Sequence, residues 1–264
     1  MVSVLPPSLQ KGGEPFFHRG NDIGVLCLHG ITASPDEMRW LGHYLHTHHG
    51  YTVYGSRQVG HAVGYKHMER ARWEDWYLTG LDGYHLLRAQ CKKIFVAGLS
   101  MGGLLTLLMS ANLDLDGIIV IAAPIDIPNK ILPYVKYLQW VMPSYETPDT
   151  TDFPTRLLAE QRRRGFPAVG RLRYQRWATR GVAELYELME VVRGRLPLIQ
   201  TPALLMYSAG DKSVPLHNLD YIEQHIGSDD VQVKRFEKSG HILTQDVDCD
   251  AVFEATGAFI AERA

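Results

Sequence analysis

Ile94-Phe95-Val96-Ala97-Gly98-Leu99-Ser100-Met101-Gly102-Gly103 joins an apolar run of strand type to Gly-x-Ser-x-Gly, and the helix-forming run Leu104-Leu105-Thr106-Leu107-Leu108 follows at once. Strand, sharp turn and helix in that order are the layout of a nucleophile elbow. The serine sits on a strained backbone with its Oγ exposed, and its neighbours must be small so that strand and helix do not collide. Ser100 is therefore the candidate nucleophile. The five-residue pattern also arises by chance in glycine-rich turns, so the surrounding sequence has to decide.

The chain has 264 residues and 45% hydrophobic content, enough for the core of one α/β domain. Its 27 Lys and Arg against 29 Asp and Glu leave no global field to hold nucleic acid or an anionic membrane, which points to a small-molecule partner. Three cysteines, Cys27, Cys91 and Cys249, fit neither a disulfide framework nor zinc-ligand spacing. No basic segment followed by an apolar one opens the chain and no run of about 18 apolar residues occurs, so a cytoplasmic protein without stable membrane insertion is expected.

Apolar or β-branched runs at 24–28, 52–54, 94–97, 117–122, 203–207 and 231–236 read as strands, most of them apolar throughout and so buried on both faces. Helical patterns alternate with them at 73–89, 101–111, 216–226 and 251–263. The first helix is signalled by Ser34-Pro35-Asp36-Glu37, with Ser34 as cap and Glu37 returning the capping hydrogen bond, and runs to about His48. The pattern predicts an α/β fold, a mostly parallel central sheet with helices on both faces. The alternation breaks between Pro124 and Ala203, too long for a bare loop. A small helical cap inserted at about 125–198 into a single domain spanning 1–264 accounts for it, with Tyr134, Trp140, Leu185 and Met189 as wall residues over Ser100.

A serine hydroxyl needs a base within hydrogen-bond reach and a carboxylate to orient that base. Asp211 follows the strand at 203–207, in Ser208-Ala209-Gly210-Asp211, and His241 follows the next strand, in Lys238-Ser239-Gly240-His241. Both fall in loops at strand carboxyl ends, where open α/β sheets place functional groups. The order Ser100, Asp211, His241 is that of the α/β-hydrolase architecture. Asp126, after the preceding strand, is a rival acid. Two amides suit the oxyanion: Met101 at its helix start, and Ile31 in His29-Gly30-Ile31-Thr32. His29 reads as a brace for that turn. His43, His46, His48 and His49 read as solvated helix-end histidines, not a zinc site, and Arg162-Arg163-Arg164 as a solvated face.

With these residues in view the chain resembles carboxylesterases of the α/β-hydrolase superfamily, and among them the small bacterial carboxylesterases and monoacylglycerol lipases. The likeness runs from Glu14-Pro15-Phe16-Phe17 through Leu26-Cys27-Leu28-His29-Gly30-Ile31-Thr32, Gly60-His61, Trp73-Glu74-Asp75-Trp76 and the Ser100 segment to Ser239-Gly240-His241. Two positions depart from the family pattern: Ala62, where glycine is common, and Ile31, where phenylalanine is frequent. The resemblance implies Ser100, Asp211 and His241 as a triad and the Ile31 and Met101 amides as oxyanion hole. It implies hydrolysis of short- to medium-chain esters, monoacylglycerols among them, without metal or organic cofactor. A thioesterase, acyltransferase or carbon–carbon bond hydrolase on the same scaffold, and a non-catalytic acyl-binding module, are the alternatives. Oligomeric state is not legible.

Overall fold

The computed structural model describes residues 8–128 and 131–264; the first seven residues of the chain start lie outside it. Strands β1 (Phe16–His18), β2 (Ile23–Leu28), β3 (Thr52–Ser56), β4 (Lys93–Leu99), β5 (Gly117–Ile121), β8 (Ala203–Ser208) and β9 (Val231–Phe236) form one sheet. Their order is β1-β3-β2-β4-β5-β8-β9, parallel except for β1 against β3. Each parallel crossover carries a helix: α1 (Asp36–His49), α3 (Trp73–Arg88) after the single turn α2 (Tyr65–Met68), α4 (Met101–Ser110), and α8 (His217–His225); α9 (Cys249–Ala261) closes the chain.

Successive strand side chains point to opposite faces, and the sheet sorts its apolar residues accordingly. Leu26, Leu28, Ile94 and Val96 join Trp76 and Leu104 on one side. Val25, Cys27, Phe95, Ala97 and Leu99 join Trp40, Phe253 and Phe259 on the other. Both faces are dry, as the continuously apolar runs predict. β9 differs: it lies at an edge, and Lys234 and Arg235 are exposed. β1 leaves no signal in the sequence, because three residues are too short to show a period.

The expected capping box at the start of α1 does not form. The helix begins after Pro35, without a side-chain cap; the Ser34 hydroxyl is buried without a partner among the described residues, and the Glu37 carboxylate turns away from it. Where it goes instead is described below.

Between β5 and β8 the chain leaves the sheet for residues 122–202. Within that segment α5 (Val135–Leu138), α6 (Phe153–Arg163) and α7 (Thr179–Arg193) accompany a two-stranded antiparallel ribbon of β6 (Ser144–Glu146) and β7 (Arg176–Ala178). Helix α7 is amphipathic: Leu188 and Val192 are fully buried in the same cluster as β2 and β4. Tyr174 ties the segment to the sheet's loops. Its amide donates to the Thr32 carbonyl at 2.9 Å, and its hydroxyl accepts from the Val63 and Gly64 amides and donates to the Gly60 carbonyl at 2.8 Å. The Arg162–Arg164 run is not one solvated face: Arg164 is largely buried, bonded to Glu160 and Asp250 and seated over Trp40 at 5.2 Å.

Candidate active site

Ser100 stands between β4 and α4 at φ 57° and ψ −117°, a conformation that costs a non-glycine residue on the order of 1–3 kcal/mol. The surroundings hold it there. Its amide donates to Ile121 at 2.8 Å, and its carbonyl accepts from Leu104 at 3.1 Å. A Cβ on Gly98 would lie 2.0 Å from the Gly102 carbonyl oxygen, and one on Gly102 would lie 2.1 Å from that of Leu28. Only glycine at both positions lets strand, turn and helix approach this closely.

Asp211 and His241, 30 residues apart, meet at 2.7 Å between Oδ2 and Nδ1. The Asp211 side chain is fully buried, and its other oxygen accepts the Ser213 and Val214 amides at 2.7 and 3.0 Å. Burial alone favours the neutral acid; the imidazole and the two amides outweigh it and hold the carboxyl below its ordinary range. Burial likewise pushes His241 down, but the Asp211 charge and hydrogen bond prevail and leave it above 6.5. With Nδ1 engaged by Asp211, Nε2 is the nitrogen left for a hydroxyl. Ser100 and His241 line one cavity of about 610 Å³, within the range of small-molecule sites.

Asp126 lies elsewhere: its carboxylate is 3.4 Å from His217, and its amide donates to Asn218. The loop carrying His241 is fixed by two acids that the sequence did not single out. Asp246 accepts the Gly240 amide at 2.8 Å and bonds Arg156 of α6 at 2.7 Å, while Asp248 accepts both the amide and the hydroxyl of Ser239.

The amides of Ile31 and Met101 donate no hydrogen bond among the described residues. Met101 opens α4, where first-turn amides are free and the helix dipole favours an anion. The turn ahead of Ile31 is braced as predicted for His29, which is fully buried. The Gln58 amide donates to its Nε2 at 3.2 Å, so Nδ1 carries the hydrogen and donates to the Gly30 carbonyl at 2.8 Å. Burial keeps this ring neutral, and pushes its neighbour His61 down to about 4. Ala62, beside His61, takes φ 57°, the left-handed region that makes glycine common at that point.

The cavity wall differs in part from expectation. Leu185 and Met189 line it, with Leu132, Tyr145, Trp177 and Tyr186. Tyr134 and Trp140 do not: they are 64% and 84% exposed on the outer side of the segment. The helix-end histidines pack on aromatic rings, His46 on His18, His48 on Tyr44 and His49 on Tyr51. Glu37 is the residue the sequence misassigned. It is buried in the cavity wall, where its Oε2 accepts the Gly30 amide at 3.1 Å. Burial raises it above the ordinary carboxylate range, against the opposing pull of Arg171, the Gly30 amide and His241.

A family model described as "Serine aminopeptidase, S33" matches residues 21–248. The chain belongs to this family. Its fold is that of the α/β-hydrolases, as the motif order predicts. The thermostable monoacylglycerol lipase of Bacillus sp. (strain H-257) is 34% identical over 263 residues, covering 96% of each chain. The carboxylesterase of Bacillus subtilis (strain 168) is 27% identical, covering 94% of this chain and 96% of its own. Among solved structures, one from work on LipS and LipT, two metagenome-derived lipolytic enzymes, superposes with a TM-score of 0.86 at 29% identity, covering 97% of this chain and all of the other.

Proposed function

We propose that the protein is a serine carboxylesterase acting on esters of short- to medium-chain acids, monoacylglycerols included. Ser100 Oγ attacks the ester carbonyl while His241 takes its proton; the amides of Ile31 and Met101 receive the oxyanion; His241 passes the proton to the departing alcohol; and water, activated by the same imidazole, releases the acid. Asp211 orients the ring and offsets its positive charge. The observation that carries this reading is the 2.7 Å Asp211–His241 bond on the wall of the same cavity as an elbow serine at φ 57°. Both full-length relatives are named for ester hydrolysis, which favours esters over the peptides suggested by the family's description.

The segment at about 125–198 acts in this proposal as a cap over the site within a single domain, and Leu185 and Met189 on α7 contact the acyl chain. No helix of the described residues is long and apolar enough to cross a membrane. A cytoplasmic location goes with this reading and rests on the three unpaired cysteines. The test is a chain-length series of p-nitrophenyl esters beside 1-monoacylglycerols, with fluorophosphonate labelling mapped by mass spectrometry. Labelling at Ser100 together with turnover is the expected result. Binding of acyl compounds without labelling would identify a non-catalytic module, and faster turnover of matched thioesters would identify a thioesterase.

A further inference from the structure

His241 is held at two places. On the ring, Nδ1 meets Asp211 at 2.7 Å. On the backbone, the residue ahead of it is fixed, because the Gly240 amide donates to Asp246 Oδ2 at 2.8 Å. The Asp246 side chain is 4% exposed, and a carboxylate so buried needs further donors and a counter-charge. Its other oxygen finds both: Oδ1 accepts the Val247 amide at 2.9 Å and Arg156 Nη1 at 2.7 Å. Arg156 belongs to α6 of the inserted segment, 90 positions earlier in the chain, where its Nε also bonds Asp152 at 3.1 Å. The apolar side of α6 runs to the same loop: Phe153 and Leu157 fall in one buried cluster with Ile242 and Leu243, the two residues after His241. Arg156, Phe153, Asp246 and His241 all line the Ser100 cavity.

His241 takes a proton from Ser100 in acylation and from water in deacylation, so a misplaced ring slows both steps, and a shift of about 1 Å can cost on the order of 10²-fold. Asp211 fixes one ring nitrogen; it does not fix the backbone that carries the ring, and that is set at Gly240. We propose that Asp246 is a positioning residue for His241 and that Arg156 brings the inserted segment into that positioning, so that α6 must be seated for the imidazole to stand in register with Ser100. Asp246 acts through the Gly240 peptide and not on the reacting atoms. This rests on the esterase reading of the Ser100 cavity and adds to it that the inserted segment serves the chemical step as well as lining the cavity.

The test measures kcat and KM for p-nitrophenyl acetate in the wild type, Arg156→Met, Asp246→Asn and the double variant, with a melting curve of each. Asp246→Asn keeps an oxygen for the Gly240 amide but turns an NH2 group toward Arg156. Each single variant should lower kcat by about tenfold or more with KM within about twofold. The rate at which diisopropyl fluorophosphate labels Ser100 should fall alongside, because the same imidazole activates the serine. The double variant should lie within about twofold of the slower single variant, since both substitutions remove one bond. A smaller fall in kcat, even with a lower melting temperature, marks a merely structural tie; a raised KM at unchanged kcat marks a wall contact; losses that multiply in the double variant mark two separate roles. Each of these overturns the positioning link and leaves the esterase reading standing. If one single variant does not fold, the other decides by its kcat and KM. A wild-type protein that neither hydrolyses the ester nor is labelled at Ser100 overturns both.

Discussion

Asp211 sits where two effects oppose each other, burial favouring the acid and His241 with two amides favouring the anion, and the second set wins. The consequence for His241 has a definite sign. Its pKa is raised above 6.5, and in the proposed mechanism only the neutral ring can take the Ser100 proton, so kcat/KM should climb with pH along an acid limb centred above pH 6.5. Asp211→Asn removes the raising influence and leaves burial, so the limb should move to lower pH while kcat/KM falls by about 10³–10⁴-fold. Asp126→Asn should change kcat/KM by less than about threefold, its carboxylate being turned to His217. A pH–rate profile of the three proteins checks this, and the reverse ranking would transfer the acid role to Asp126. In stability terms the raised His241 pKa contributes below pH 6.5, and that contribution is lost as pH rises through the folded-state value. Ser100→Ala should abolish p-nitrophenyl butyrate hydrolysis by about 10⁴-fold or more with an unchanged circular dichroism spectrum.

At the scale of elements, the elbow and the Tyr174 tie make separate demands. Gly102→Ala places a Cβ 2.1 Å from the Leu28 carbonyl oxygen, so β2 and α4 must separate; a loss of about 3 kcal/mol or more in urea denaturation is expected. Tyr174→Phe keeps the ring in its pocket with Met68 and Ala178, but it strips partners from two amides and one carbonyl, for about 2 kcal/mol or more. A melting temperature unchanged in that variant would mean that water replaces the hydroxyl. The long strands were legible because their residues are apolar without interruption, which only a strand covered on both faces tolerates in a parallel sheet. Strands β1, β6 and β7 were not, because three residues carry no period and their pairing is set by partners 30 or more positions away. Ser34 and Glu37 show the converse error: a good capping pattern lost to a competing partner seven residues back, the Gly30 amide in the loop after β2.

Over the whole molecule, the cavity is lined jointly by loops that follow strands of the sheet, among them those of Ser100 and His241, and by residues of the inserted segment such as Leu132, Tyr145, Leu185 and Met189. Met189 on α7 is buried and lines the cavity, whereas Trp140 faces outward at 84% exposure. Met189→Trp should therefore shorten the preferred acyl chain in the p-nitrophenyl ester series, and Trp140→Ser should leave the profile where it was. A profile shifted by the second variant and not the first would place the acyl chain on the outer side of the segment. Apolar character alone groups Tyr134 and Trp140 with Leu185 and Met189, because composition cannot say which residues of the segment face the cavity and which face outward. By itself, the chain's sequence determined the parallel sheet, the elbow serine and the strand-end loops that hold an acid and a histidine, since each follows from local periodicity and turn chemistry. The tertiary structure alone decided that Asp211 and not Asp126 meets His241, that Glu37 faces the cavity, and which residues of the inserted segment line it. The acid and the wall are contacts between groups far apart in the chain, and even the Glu37 contact, seven residues back to Gly30, depends on how the loop after β2 folds against α1.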